Sequence, residues 1–76
     1  MLIDTGDRIC IENIKYLREK YSISRKGLAK LIGISEYALR SMEEGITPTE
    51  FTYEQLIRLS QIFNVSPEQI INHILS

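Results

Sequence analysis

The sequence predicts an all-α fold, a five-helix orthogonal bundle in one small domain. Apolar residues recur at spacings of three and four along the chain, which is the period of helices that bury one face. Turn-forming and capping residues interrupt this pattern between successive helices. The chain has 76 residues, 43% of them hydrophobic, which is enough for a single compact core.

The first helix is predicted over residues 8–21, after an N-terminal arm of residues 1–7, so that residues 8–76 form the domain. Thr5-Gly6-Asp7 is typical of a turn, and the apolar Met1-Leu2-Ile3 could pack on the body or on a second subunit. The buried stripe of the first helix is expected to comprise Cys10, Ile14, Leu17 and Tyr21.

The second and third helices are predicted over residues 25–32 and 35–44, with a glycine between them. Gly33 can adopt positive φ without penalty, so the chain can turn sharply there. The Ser35 hydroxyl can cap the third helix, and Gly45 is placed to end it. The inward-facing residues are expected to be Leu28, Leu31 and Ile32 on the second helix and Ala38, Leu39 and Met42 on the third.

Together these two helices form a predicted helix-turn-helix. Ala29 lies where two steeply crossing helices would touch, and a larger side chain there would push them apart. The opposite face of the third helix carries Glu36, Tyr37, Arg40, Ser41 and Glu44.

The fourth and fifth helices each begin at a predicted capping box. Thr52 and Gln55 form the first box, and Ser66 and Gln69 form the second, with Pro67 at the first helical position. The buried residues are expected to be Leu56, Leu59, Ser60, Ile62 and Phe63 on the fourth helix, and Ile70, Ile71, Ile74 and Leu75 on a fifth helix that runs to the end.

Residues 28–45 resemble the Cro/repressor (XRE) family of DNA-binding helix-turn-helix proteins in the pattern Leu28-Ala29-x-x-Ile32-Gly33-Ile34-Ser35-x-x-x-Leu39-x-x-Met42-Glu43-x-Gly45. The resemblance extends over about residues 9–71. It implies a lambda repressor-like DNA-binding domain, with the third helix in the major groove and the second crossing the backbone. The structural positions of the motif are Ala29, Gly33, Leu39, Met42 and Gly45.

The resemblance also implies which side chains face base edges. Arg40 could bond guanine O6 and N7, Glu36 could accept from a cytosine amino group, and Tyr37 could pack on a thymine methyl or bond a phosphate. Alternatively, Glu36 and Arg40 form an i,i+4 ion pair worth about 0.3–0.5 kcal/mol, and Tyr37 covers the junction between the two helices. The implied base-contacting residues are Glu36, Tyr37, Arg40 and Ser41.

Contacts to the DNA backbone are expected from the starts of the second and third helices, where free N–H groups attract anions. Arg25 and Lys26 lie at the first of these positions and Ser35 at the second. Many members of the family have glutamine where Arg25 stands. Lys15, Arg18 and Lys30 are expected on solvated faces.

The loop after the third helix departs from the family. Lysine or arginine often follows the final glycine of the motif, whereas this chain has Ile46-Thr47-Pro48-Thr49-Glu50, preceded by Glu43-Glu44. We therefore expect weaker non-specific binding, because fewer phosphates would be neutralised.

The net charge is −1, but it is unevenly distributed. Residues 8–40 hold eight basic and three acidic residues, a balance of +5, whereas residues 41–76 hold one basic and five acidic residues, a balance of −4. A chain polarised in this way can attract phosphate with one half, although ordinary solvated helix faces would give the same pattern.

Several function classes are not expected from the composition. Cys10 is the only cysteine and His73 the only histidine, so neither a metal site nor a cofactor is predicted. No nucleophile–base pair or glycine-rich phosphate loop is present, so an enzyme is not expected, and no effector domain for a small molecule is evident. Without a signal peptide or a membrane-spanning segment, the expected location is the cytoplasm and no membrane partner is expected.

The sequence thus predicts a transcriptional regulator, a repressor that binds a palindromic operator in double-stranded DNA as a homodimer. The alternative is a protein-interaction module, an antitoxin or a regulator that sequesters another helix-turn-helix protein, with weak or no DNA binding. The acidic C-terminal half motivates this alternative. The expected dimer surface, which could equally be ordinary core, comprises Phe63, Val65, Ile70, Ile74 and Leu75.

Overall fold

The computed structural model describes residues 5–46 and 48–76. These residues contain all five predicted helices and no strand, which confirms the all-α fold class. The helices are α1 (Thr5–Lys20), α2 (Arg25–Ile32), α3 (Glu36–Glu43), α4 (Tyr53–Phe63) and α5 (Pro67–Asn72).

The first helix differs from its prediction at both ends. It begins at Thr5, so the turn predicted over residues 5–7 is wrong, and the apolar residues 1–3 lie outside the described residues. It ends at Lys20 because Ser22 adopts a left-handed φ of 55°. Tyr21 therefore lies outside the helix and is 53% exposed, although its ring packs 5.5 Å from that of Phe63.

The core lies between α1 and the four shorter helices. α1 packs on α5 and α3, α2 packs on α3 and α4, and α4 packs on α5. Each large apolar side chain that is fully buried contributes about 1.5–3 kcal/mol to folding. The most deeply buried large side chains are Ile14, Leu28, Ile32, Leu39, Met42, Leu59 and Ile70.

One predicted core position on each of α2 and α4 is exposed. Leu31 on α2 is 53% exposed, because Ala29 faces the core beside Leu28 instead. Ile62 on α4 is 37% exposed, whereas Gln55 at the start of that helix is buried. The Gln55 Nε2 donates to the Ile32 carbonyl at 3.2 Å. The remaining apolar residues of both predicted faces are buried, so the structure confirms the two faces apart from these edge positions.

The fifth helix ends at Asn72 and does not reach the end of the chain. The buried side chain of Asn13 on α1 explains this, because its Nδ2 donates to the Ile70 carbonyl at 2.7 Å and its Oδ1 accepts from the Leu75 N–H at 3.0 Å. The last residues therefore turn toward α1 instead of continuing the helix. Ile74, predicted to be buried, is 75% exposed.

The predicted dimer surface is largely part of the core. Phe63 and Ile70 are 5% and 0% exposed, so the prediction that they form a surface is wrong. Val65 and Leu75 are partly buried and pack against the core cluster. Among the five residues expected to form this surface, Ile74 alone is exposed.

Candidate nucleic-acid interface

The turn between α2 and α3 depends on Gly33. Its φ is 82°, a left-handed value that residues with a side chain disfavour. The N–H groups of Gly33 and Ile34 both donate to the Ala29 carbonyl, at 2.9 and 3.0 Å. A Cβ at this position would also lie 2.9 Å from Nη1 of Arg58 on α4. Because Nη1 is the end of a flexible side chain that is 45% exposed and can move, the left-handed backbone is the main reason for glycine here.

Serine hydroxyls cap both helices of the motif. The Ser24 Oγ accepts from the Gly27 N–H at 3.0 Å, and the Ser35 Oγ accepts from the Ala38 N–H at 3.0 Å. At the far end of α3, Gly45 has a φ of 101° and its N–H donates to the Met42 carbonyl at 2.9 Å. These local bonds fix both ends of α3.

The inner faces of α2 and α3 hold the two helices rigidly together. Ala29 is 2% exposed, and Leu39 and Met42 are 0% and 2% exposed. Because interiors pack closely, α3 cannot rotate about its axis without losing these contacts. Its outer face therefore has one fixed orientation.

The outer face of α3 carries most of the residues predicted to contact bases. Tyr37 is 77% exposed, and the side chains of Glu36 and Arg40 are 46% and 54% exposed. Ser41 is half-buried, so it is less accessible than its neighbours. The structure thus brings Glu36, Tyr37 and Arg40 to one solvent-facing surface.

Arg40 and Glu36 also form the ion pair that was the alternative interpretation. Their closest approach is 3.9 Å, between Arg40 Nη2 and Glu36 Oε2. An exposed i,i+4 pair of this kind contributes at most a few tenths of a kcal/mol. It therefore leaves the guanidinium free to bind a stronger partner.

The side chain of Glu43, one of the two acidic residues before the loop, is buried and paired with arginine. It is 2% exposed, and its two carboxylate oxygens accept from Arg18 Nε and Nη2 at 2.6 and 3.0 Å. Arg25 Nε donates to Glu43 Oε1 at 2.9 Å, and Arg18 Nη1 donates to the Ile23 carbonyl at 3.0 Å. The prediction that Arg18 lies on a solvated face is wrong, since its side chain is 10% exposed.

The charges in this network stabilise one another. Burial acts to raise the pKa of Glu43, but hydrogen bonds from Arg18 and Arg25 outweigh it, so the net pKa is lowered. The hydrogen bond to Glu43 raises the pKa of Arg25. Arg25 is therefore already paired at the start of α2, whereas Lys26 beside it is exposed.

Ser35, the third residue predicted to contact phosphate, is bonded to a carboxylate. Its N–H donates to Glu50 Oε1 at 2.9 Å, and its Oγ donates to Glu50 Oε2 at 3.2 Å. This contact spans 15 residues, so no local pattern predicts it. For Glu43 a signal existed, because it lies four positions after buried Leu39 and follows buried Met42.

Other kinds of site are not found in the described residues. No group of three or more histidine, cysteine, aspartate or glutamate residues there could hold a metal ion. Within the same part of the chain, no helix is both long enough and apolar enough to cross a membrane.

Comparison with known families supports the interpretation of this surface. A helix-turn-helix family model matches residues 14–70, a range that reaches from α1 into α5 and includes the whole α2–α3 motif. Curated proteins and solved structures gave no match. The chain belongs to the Cro/C1-type (XRE) helix-turn-helix family of DNA-binding regulators.

Proposed function

We propose that this protein is a transcriptional repressor that binds a palindromic operator as a homodimer, with α3 in the major groove. The observation that carries the proposal is the rigid α2–α3 pair, which presents Glu36, Tyr37 and Arg40 on one exposed face. Family membership supports DNA binding by this motif.

The side chains on α3 match the chemistry of base edges. The Arg40 guanidinium bonds guanine O6 and N7, and Glu36 accepts from a neighbouring cytosine amino group. Tyr37 packs on a thymine methyl or bonds a phosphate, and Ser41 makes a minor contact because it is half-buried. On binding, Arg40 exchanges its loose contact with Glu36 for a bidentate bond to guanine.

Backbone contacts position α3 in the groove. Lys26 is exposed at the start of α2, where unpaired N–H groups also favour an anion. Arg25 has one nitrogen bonded to Glu43, and its side chain is 43% exposed, so it contributes its remaining donors. Ser35 completes the proposed set of backbone contacts.

The size of the module supports the proposed dimer. Its dimensions are 27 × 25 × 21 Å, shorter than the ~34 Å that separates half-sites one helical turn apart. One copy therefore reads one half-site, and two copies related by a two-fold axis read a palindrome.

The test is a titration of the protein against a fluorescent duplex from its own upstream region and against a scrambled duplex, at several salt concentrations. We expect tighter binding to the upstream duplex and a steep loss of affinity with salt. Sedimentation with and without DNA then gives the stoichiometry. A protein that stays monomeric on DNA at tens of micromolar would contradict the dimer, and equal weak binding to both duplexes would contradict the upstream operator.

The second candidate is a protein-interaction module that binds another small regulator or a toxin. The Glu50 carboxylate at the start of α3 favours it, because an acid there opposes DNA phosphate. Failure to bind any duplex at low salt, together with stoichiometric co-purification of a second small protein, would favour this function over repression.

A further inference from the structure

We propose that Glu50 is an intramolecular competitor for DNA phosphate at the start of α3, and that it lowers the DNA affinity of the protein. The inference rests on the proposed DNA-binding function and concerns the same surface.

Glu50 occupies the donors that a phosphate would use. The Ser35 N–H and Ser35 Oγ are bonded to its two carboxylate oxygens, at 2.9 and 3.2 Å. Two oxygens of a phosphate group would bind the same pair of donors in the same manner. A phosphate can therefore bind there only if the Glu50 carboxylate moves away.

The contact is not needed to cap α3. The Ser35 Oγ already accepts from the Ala38 N–H at 3.0 Å, so this capping bond forms without Glu50. Both Ser35 and Glu50 are exposed, so water can replace either bond. The charge of Glu50 thus contributes little to the free energy of folding. It acts instead on a DNA phosphate that approaches the start of α3 from solution.

The charge also acts when the carboxylate has been displaced. Glu50 belongs to the short loop before α4, so its charge stays near the start of α3. At physiological ionic strength unscreened repulsion reaches about 8 Å, which is enough to act on a phosphate bound at α3. The loop thus keeps a negative charge beside the donors of Ser35.

The experiment compares Glu50→Gln and Glu50→Lys with wild type on the upstream and scrambled duplexes across a salt series. Glutamine keeps an acceptor for Ser35 but removes the charge. Glu68→Gln is the matched control, because it removes the same charge from an exposed residue on α5, which packs on α1 and α4. Thermal melts verify that each variant is folded.

We expect Glu50→Gln to bind both duplexes roughly three- to tenfold more tightly, because it removes one charge that repels phosphate. A salt slope steeper by about 0.9 is expected for Glu50→Lys, which adds one positive charge that can neutralise a phosphate. Glu50→Lys should bind more tightly still, and Glu68→Gln should match wild type. DNA binding that appears only in the two Glu50 variants would also support the inference.

Two results would overturn the inference, and they are distinguishable. If wild type binds DNA and Glu50→Gln behaves like Glu68→Gln, the competitor role is wrong and the DNA-binding function stands. If wild type and every variant bind neither duplex at 25 mM salt (roughly the regime where phosphate contacts are strongest), the proposed function fails and the inference fails with it.

Discussion

The Glu43 carboxylate at the end of α3 is bonded through both oxygens to the Arg18 guanidinium near the end of α1, at 2.6 and 3.0 Å. Arg25 at the start of α2 shares the same carboxylate at 2.9 Å. One acidic side chain thus joins three helices, and it holds α3 from the end opposite to Ser35. The orientation of the proposed DNA-reading helix therefore depends on a buried ion network as well as on apolar packing.

Arg18→Ala should lower the free energy of unfolding by about 3 kcal/mol, because the buried guanidinium donates to both carboxylate oxygens of Glu43 and to the Ile23 carbonyl. Urea unfolding followed by circular dichroism measures the change. Arg25→Ala is the control and should have a smaller effect, since its side chain is 43% exposed and makes one bond to the same carboxylate. Equal losses in the two variants would show that burial does not set the strength of this network.

The pKa of Glu43 predicts how stability depends on pH. Its pKa is lowered in the folded state, so the network stabilises the fold fully above the unfolded value of about 4.5, and this contribution is lost as pH falls through the folded pKa. The difference in unfolding free energy between wild type and Glu43→Gln should be largest above about pH 5 and shrink below it. A difference that grows on acidification would contradict the lowered pKa.

Gly33→Ala should destabilise the protein by about 1–2 kcal/mol, because alanine disfavours the left-handed backbone at this position. The added Cβ would also meet Arg58 Nη1 at 2.9 Å. The double variant Gly33→Ala/Arg58→Ala separates the two causes, since it removes the contact and keeps the backbone strain. Thermal unfolding measures both. Full recovery of stability in the double variant would mean that the contact with Arg58, and not the backbone strain at residue 33, causes the loss of stability.

Arg40→Ala should weaken binding to the upstream duplex by about 1–3 kcal/mol and leave binding to the scrambled duplex nearly unchanged. The reason is that a base contact is lost while the phosphate contacts remain. Lys30→Ala is the control, because it removes the same charge from an exposed position on α2. Equal weakening by the two variants, or equal effects on the two duplexes, would count against base readout by Arg40.

The parts of the fold that follow from local chemistry could be predicted from the sequence. The turn at Gly33, the serine cap at Ser35 and the capping box at Ser66 each involve residues within a few positions of one another, so a single sequence contains the full signal. The exposed face of α3 followed in the same way, from the period of its buried residues.

The errors involve contacts between residues far apart in the chain. Arg18 and Glu43 are 25 residues apart, and Ser35 and Glu50 are 15 apart, so no local pattern shows which residue each of them pairs with. The prediction for Leu31 is wrong for a related reason. Its spacing suits the edge of the apolar stripe, and only the packing of α2 in the bundle shows that this edge faces solvent.

The Asn13 side chain has a consequence for how the protein is made. Its amide bonds residues 57 and 62 positions later, and these bonds satisfy a side chain that is 2% exposed. A nascent chain that has not yet extended past α5 would leave this amide without those bonds and α1 without one of its packing partners. Residue 75 must therefore leave the ribosomal exit tunnel before these bonds can form, so α1 gains this part of its stability only after α2 and α3 have been translated.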